Sequence, residues 1–456
     1  MWKVSRDQLI NSFNNKVHIA PLAVLRMAFG AITFISIMRF ILKGWVADFY
    51  ITPQFYFTFY GFEWVKPLGP IGMYAVFGFM AVASLLVFLG LFYRFSIVSF
   101  FLCFSYVELI DKTNYLNHYY FISILSFLMI FVPAQRYFSL DVIRKPSLKA
   151  TQVPAWTIHI FKLQLLLVYF FAGISKINYD WLIEAMPLKI WLPANVHLPV
   201  IGPLLADQWV AYFFSWFGLL YDLSIGFFLL NKSTRPVAYL VVVLFHIFTA
   251  WFFKIGMFPY FMILSTLVFF SENFHIRLIT YIRSLLKLKD ETATENLPLA
   301  DMSFTKKRIV FGVLFTFFFL QMIIPFRYLL YPGNLYWTEE GYRFSWRVML
   351  MEKAGTAFFY VKDPETGTKN EVMNSAYLTY AQERMMNTQP DMILQYANFL
   401  EEEYKKKGIK DPVVTVESYV TLNGSGSRLF IDSSVDLSKE EESLYTKKWV
   451  LPFNSK

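Results

Sequence analysis

A polytopic α-helical membrane bundle of about eight to nine spans, followed by a mixed α/β or β-rich extramembrane domain, is the fold class this sequence predicts. Three observations predict it. Apolar residues make up 56% of the 456 and charged residues 16%, against roughly 25% charged in a soluble domain. Nearly all the long apolar runs lie in residues 1–326, whereas 327–456 has the composition of a soluble domain. The charge divides at the same place: 26 Lys/Arg against 15 Asp/Glu before residue 327, and 16 against 18 after it. The basic excess lies in short loops between apolar runs, where membrane topology and anionic lipid account for it. No basic stripe with interleaved aromatics marks the soluble part, so nucleic acid is not an expected partner.

A spanning helix needs about 20 mostly apolar residues. Nine runs qualify, three of them short: 19–42, 70–92, 95–110, 119–132, 155–174, 208–230, 237–253, 257–270 and 310–325. Residues 1–18 are polar and amphipathic, and the first apolar run is too long for a signal-peptide core. The stretch 285–307, with Asp290-Glu291-Thr292, reads as a flexible linker. In the C-terminal part, Ala357-Phe358-Phe359-Tyr360-Val361 alternates like a strand and is stopped by Asp363-Pro364 and Gly367. Residues 390–407 read as an amphipathic helix ended by Gly408, and 413–422 as a strand before the turn Asn423-Gly424. Cys103 stands alone, so no intrachain disulfide and no cysteine-rich metal site is expected. No HxxxH or HxxE arrangement suggests a metal.

Ionisable residues at membrane depth are costly, about 2.5–3.5 kcal/mol each on insertion scales, and are functional candidates for that reason. Three clusters stand out at one expected face. The first runs from Asp111 to Tyr120; on a helix, Asp111, Asn114 and His118 would share a side. Its bland reading is a polar external turn. The second runs from Tyr169 to Trp181, where Lys176 ends an apolar helix. It could snorkel to water with Asp180 as its i+4 partner, but Ala172-Gly173 permits close helix approach and so a crowded site. In the third, His246 lies inside an apolar run, with Gly256 and Pro259 breaking the chain beyond it. That histidine is either satisfied by a neighbouring helix or in contact with a ligand. Lys176, His118 and His246 are expected to converge in one cavity at the outer side of the bundle.

These residues resemble a known family. Asp111-Lys112-Thr113 followed by Asn117-His118-x-Tyr120 resembles the histidine motif of the vitamin K-dependent γ-glutamyl carboxylases and their HTTM membrane-domain homologues. Ala172-Gly173-x-x-Lys176 with Asp180-Trp181 resembles the motif of that family's catalytic lysine. Phe245-His246 with Ile255 to Tyr260 is similar to a third segment. Trp337-Thr338-x-x-x-Tyr342-x-Phe344-Ser345-Trp346-x-x-Met349 resembles the segment linked to glutamate binding. The motifs stand in family order over roughly 20–430. The longer animal members hold two cysteines in a disulfide, and an acidic residue where Arg347 stands; the compact form looks bacterial.

The resemblance implies an enzyme that couples oxidation of a reduced vitamin K-type quinone by O2, to the epoxide, with addition of CO2 to the γ-carbon of glutamate in a protein or peptide. A strongly basic alkoxide formed from the oxygenated quinone would remove the γ-proton. Lys176 corresponds to the base that deprotonates the hydroquinone, and burial is what makes a lysine usable in that role. His118 corresponds to the histidine that positions the oxygenated quinone. Asn117, Asp111, His246, Trp337, Tyr342, Ser345 and Trp346 would contact quinone or acceptor. Membrane lipid and the quinone are the other expected partners, and no metal is implied. The alternatives are a quinone-epoxidising membrane enzyme without carboxylation, and a lipid- or solute-binding or transport bundle. The polar residues collect at one face without an inverted repeat, which argues against transport.

The loops assign an orientation. With the N-terminus cytoplasmic, inner segments carry 17 Lys/Arg and outer segments six, which by the positive-inside rule places 327–456 outside, in a periplasm or lumen. Reporter fusions at Lys16 and after Lys456 are expected to read opposite sides; two cytoplasmic readings would overturn the topology.

Overall fold

The computed structural model describes residues 15–199, 201–253, 255–288, 297–299 and 302–453. Among the described residues seven helices are long and apolar enough to cross a membrane, or eight if the bent pair 258–285 is one span. The seven are α1 (Ala20–Leu42), α2 (Gly69–Leu89), α3 (Tyr93–Ile110), α5 (Trp156–Ser175), α6 (Gln208–Leu230), α7 (Arg235–Phe253) and α10 (Phe304–Ile323), the last continued by a 3-10 turn. The two remaining apolar runs are short. α4 (Asn117–Phe131) has 15 residues. α8 (Phe258–Thr266), with the turn after it, meets α9 (Glu272–Leu285) at a bend of 119°.

Contacts at both ends tie these short runs into the bundle. His118 on α4 and Phe258 on α8 meet ring to ring at 5.6 Å at the outer end. At the inner end, Arg136 O beyond α4 accepts from Ala150 N, and Glu272 Oε2 beyond α8 accepts from His18 N. α9 lies in what the sequence reads as an inner loop; it is amphipathic and packs against α1.

The inner end is tied by backbone. β1 (Lys16–His18) pairs antiparallel with β2 (Gln152–Pro154), and Pro298 bridges Gln152. The linker expected over 285–307 is therefore anchored at residues 297–299, where Leu297 O accepts from Thr151 N and Leu299 N donates to Gln152 O. Asp290-Glu291-Thr292 and most of the first 18 residues lie outside the described residues. Arg26, fully buried, donates to Val87 O, Phe88 O and Phe138 O. It thereby ties the C-terminal end of α2 to the loop after α4.

Beyond α10 the chain builds a four-stranded antiparallel sheet in the order β4 (Lys369–Val372), β3 (Lys353–Lys362), β5 (Val413–Leu422), β6 (Arg428–Leu429). Alternation along β5 buries Val414, Val416, Ser418, Val420 and Leu422 on one face, the period-2 pattern of a half-covered sheet. α11 (Tyr380–Met386) and α12 (Pro390–Lys406) cover it, and α12 buries Ile393, Leu394, Tyr396 and Ala397. This core is continuous with the outer loops of the bundle: Phe57, Trp181, Leu188, Leu205 and Phe252 belong to it.

Charge seats the domain on the bundle. Lys112, 2% exposed, lies 2.8 Å from Asp391 Oδ2 and 3.4 Å from Glu442. Arg343 Nη1 reaches the same Asp391 oxygen at 2.7 Å. Burial alone would raise the Asp391 pKa, but Arg343 and Lys112 outweigh it and hold the carboxyl well below the usual carboxylate range. A carboxyl depressed on folding contributes stability above its ordinary value of 3.8 and loses it as pH falls through the folded value. Asp391→Asn leaves two buried cations without their shared counter-charge, a loss of about 3–5 kcal/mol when one partner of a buried pair is removed. Unfolding and protease sensitivity of the detergent-purified protein at pH 7 are expected to show the loss; a variant as stable and resistant as wild type would overturn the assignment.

Candidate active site

The first polar cluster does not form the single helical face expected of it. α3 ends at Ile110, a 3-10 turn spans Lys112–Asn114, and α4 starts at Asn117. Asp111 consequently turns away from the bundle interior. Its carboxylate accepts from Thr113 N and from Gln382 Nε2 at 2.9 Å, and burial pushes it up to about 6 against those hydrogen bonds. Asp111 and Lys112 thus both hold the C-terminal domain.

Asn117 and His118 sit differently. They line a cavity of about 620 Å³ between α1, α2, α3, α4 and α8 at the outer end of the bundle. Its inner wall is apolar: Phe77, Met80, Phe100, Phe104, Val107 and Ile122. Arg39, Glu108, Tyr50 and Tyr342 add polar groups to its lining. His118 is half-buried, edge-on to Tyr119 and against Phe258, and neither ring nitrogen has a hydrogen-bond partner among the described residues. Both are open to a ligand.

Residues 339–349 close the cavity from the domain side. Asn117 Nδ2 donates to Arg347 O at 2.9 Å, Tyr115 OH donates to Asn117 Oδ1, and Phe344 N donates to Tyr115 OH. Glu339, Phe344, Trp346 and Met349 hold positive φ values of 55–60°. Non-glycine residues rarely adopt that region, and they persist there only when surrounding contacts impose it. Tyr342 faces the cavity. Ser345, whose Oγ donates to Tyr342 O, and Trp346, packed on Tyr120 and Phe121, support the segment from behind. Trp337 is a core residue of the domain: its indole N–H donates to Leu451 O and its ring packs on Phe430 and Phe453.

Lys176 does not line this cavity, and the expectation of one shared chamber is corrected. Its Nζ, buried, lies 2.6 Å from Asp222 Oδ2 on α6 and donates to Ala172 O. Asp180 is not its partner; that carboxylate accepts from Asn423 in the domain. The pairing depends on Gly173, as its small size led one to expect. A Cβ there would fall 2.7 Å from Leu223 Cδ2 and 3.0 Å from Leu223 N, so α6 approaches closely enough for Asp222 to reach Lys176. Trp181 lies 5.4 Å below the ammonium, and its indole N–H donates to Ser215 O on α6.

His246, 4% exposed, occupies the wall between the two places. Its Nε2 lies 3.4 Å from Tyr169 OH on the lysine-bearing helix, and its ring stands perpendicular to Phe258, the ring that His118 touches. Its Nδ1 has no partner. A second cavity of about 400 Å³ opens on the other side, lined by Ile174, Ser175, Asn178, Tyr328, Tyr336 and Arg347 among others. Ser175 O accepts from Tyr336 OH there, one residue from Lys176.

Asp222, Glu108 and Arg39 escaped the sequence reading. The signal was present, since each is an ionisable residue inside or at the end of an apolar run. Among the described residues no group of three His, Cys, Asp or Glu side chains is placed to hold a metal.

Comparison with known families agrees with this layout. The HTTM domain family matches residues 14–274, more than half of the chain. The lumenal domain of vitamin K-dependent gamma-carboxylase matches residues 306–456. No solved structure matches the chain. A helical membrane bundle whose outer cavity is closed by a domain of that lumenal type defines the architecture, and the chain belongs to the vitamin K-dependent gamma-carboxylase family.

Proposed function

We propose that this protein is a membrane enzyme that couples epoxidation of a reduced vitamin K-type quinone to γ-carboxylation of glutamate in a protein or peptide, consuming O2 and CO2. The observation that carries the reading is the 620 Å³ cavity with an apolar inner wall and an unpartnered His118 beside Asn117. Its size lies within the range of small-molecule sites, which are mostly apolar with a few placed polar groups. A ring system with a greasy tail fits that description: the tail against Phe77, Met80 and Phe104, the oxygens toward His118, Asn117 and Tyr342.

In this reading residues 1–326 form the transmembrane domain, with a cytoplasmic N-terminus, and 327–456 the extracytoplasmic domain. Lys176 is the base that starts quinone oxidation. Lys176 does not reach the quinone cavity itself, so in this reading the proton taken from the hydroquinone passes through the His246–Tyr169 wall and is then held between Nζ and Asp222 Oδ2, 2.6 Å apart. His246 and Tyr169 occupy the wall that separates this pair from the quinone cavity. Asp111, Ser345, Trp346 and Trp337 act at one remove, through the segments they hold.

The test is a product assay on purified protein with reduced vitamin K, O2 and labelled bicarbonate. Epoxide and labelled glutamate together are expected. Epoxide without label would leave the quinone-oxidising alternative; no epoxide with any reduced quinone would remove the reading.

Lys176→Ala is expected to lower epoxide formation by a factor of about 10²–10⁴, the usual contribution of a general base, and an added small amine to restore part of it. Equal rates at matched folded amounts would remove the base assignment. His118→Ala, which takes away no protein hydrogen bond, is expected to slow epoxide formation while leaving the unfolding midpoint within a degree or two. A large drop in that midpoint would make His118 a structural residue.

A further inference from the structure

Buried arginines in proteins are paired, because an uncompensated charge in a low-dielectric interior costs several kcal/mol. Lys112 and Arg343 share Asp391, and Lys353 has Glu339. Arg26, also without an ion pair among the described residues, gives its guanidinium to three backbone carbonyls instead; Arg347 has neither. It is 6% exposed, its Nε has no partner, and it forms no ion pair among the described residues. Its guanidinium lies 4.3 Å over the Tyr328 ring and against the Tyr336 phenol. Glu340 shares the second cavity; its Oε1 accepts from Lys447 N and lies 3.8 Å from Lys447 Nζ, while its Oε2 is buried without a hydrogen-bond partner among the described residues.

Position makes this more than a loose end. Arg347 lines both the quinone-sized cavity and the second, smaller one. Its backbone is fixed by Asn117, the neighbour of His118. Beside it in the second cavity are the hydrogen-bonding groups of Asn178, Tyr336 and Thr338.

We propose that Arg347 is a carboxylate-binding residue that anchors the side-chain carboxylate of the acceptor glutamate where the two cavities meet. Guanidinium binds carboxylate through two parallel N–H···O bonds, which sets direction as well as affinity. Anchored there, the acceptor's main chain lies in the polar cavity and its γ-carbon faces His118 and the quinone. The proposal rests on the function proposed above, and it assigns a residue and a charge to the acceptor side of the reaction.

The experiment is equilibrium binding of N-acetyl-glutamate amide to the detergent-purified full chain, with N-acetyl-glutamine amide as the neutral control. Wild type is expected to prefer the glutamate probe. Arg347→Gln is expected to lower that affinity roughly tenfold or more and to abolish the preference, the range for lost charge-assisted hydrogen bonds. Arg347→Lys keeps a point charge without the fork and is expected to fall between. Without probe, Arg347→Gln should unfold at or above the wild-type temperature, because it removes an uncompensated buried charge.

A wild type indifferent to glutamate against glutamine overturns the proposal, as does a glutamine variant of unchanged affinity. A glutamine variant that unfolds several degrees earlier makes Arg347 structural; the lysine variant, which keeps the charge, then decides whether preference for the glutamate probe survives with the fold. Binding needs no turnover, so the two readings fail separately. Epoxide formation without glutamate preference removes the anchor and leaves the quinone reading. Preference without epoxide does the reverse.

Discussion

One carboxylate holds the two halves of this protein in register. Asp391 on α12 takes Lys112 from the turn between α3 and α4 and Arg343 from the segment after the last span. Everything at the outer end follows from that triple contact. It brings residues 339–349 down onto α4, where Asn117 donates to and Tyr115 accepts from their backbone as if it were part of the bundle. The left-handed residues of that segment keep their conformation because both ends are pinned. Without the joint the large cavity would be an open groove; with it, the cavity has a protein wall on the aqueous side.

The bundle and the domain therefore divide the chemistry by solvent rather than by chain position. The larger cavity has an apolar inner wall and suits a lipid-soluble reactant. The smaller is lined by hydroxyls, amides and a guanidinium contributed by both halves, and suits one that arrives through water. The two meet at Arg347, which lines both, and His246, Tyr169 and the Lys176–Asp222 pair lie buried beside them. Preorganised polar groups in a water-excluded setting act more strongly than the same groups in water.

Much of this was legible in the chain. The soluble domain's main elements follow local rules. β5 spans Val413–Leu422, where the alternation lay, and α12 ends at Lys406 before Gly408. The spans followed from apolar length, and the small pair Ala172-Gly173 pointed to a close helix contact. What local pattern did not carry was partnership. The i+4 rule offers Lys176 its neighbour Asp180, but the helix stops at Ser175 and the chain turns Asp180 toward Asn423 instead. The true partner comes from 46 residues away. Likewise Asp111, read as a site residue beside His118, serves the domain joint, because the 3-10 turn after it leaves its carboxylate bonded to Gln382; Lys112 lines the cavity with His118 but pairs with Asp391. Sequence spacing speaks of one helix at a time, whereas ion pairs in a bundle are made between helices.

Gly173 has a consequence for how this protein tolerates change. Every other amino acid adds at least a Cβ, and that one atom already collides with Leu223. Position 173 therefore has no conservative neighbour in sequence space. Trimming Leu223 would relieve the side-chain collision at 2.7 Å but not the backbone nitrogen at 3.0 Å, so a compensating change opposite restores only part of the fit. Positions 173 and 223 are coupled through this contact, and 176 and 222 through their ion pair. A change at Gly173 is therefore felt across the whole α5–α6 contact rather than at one side chain.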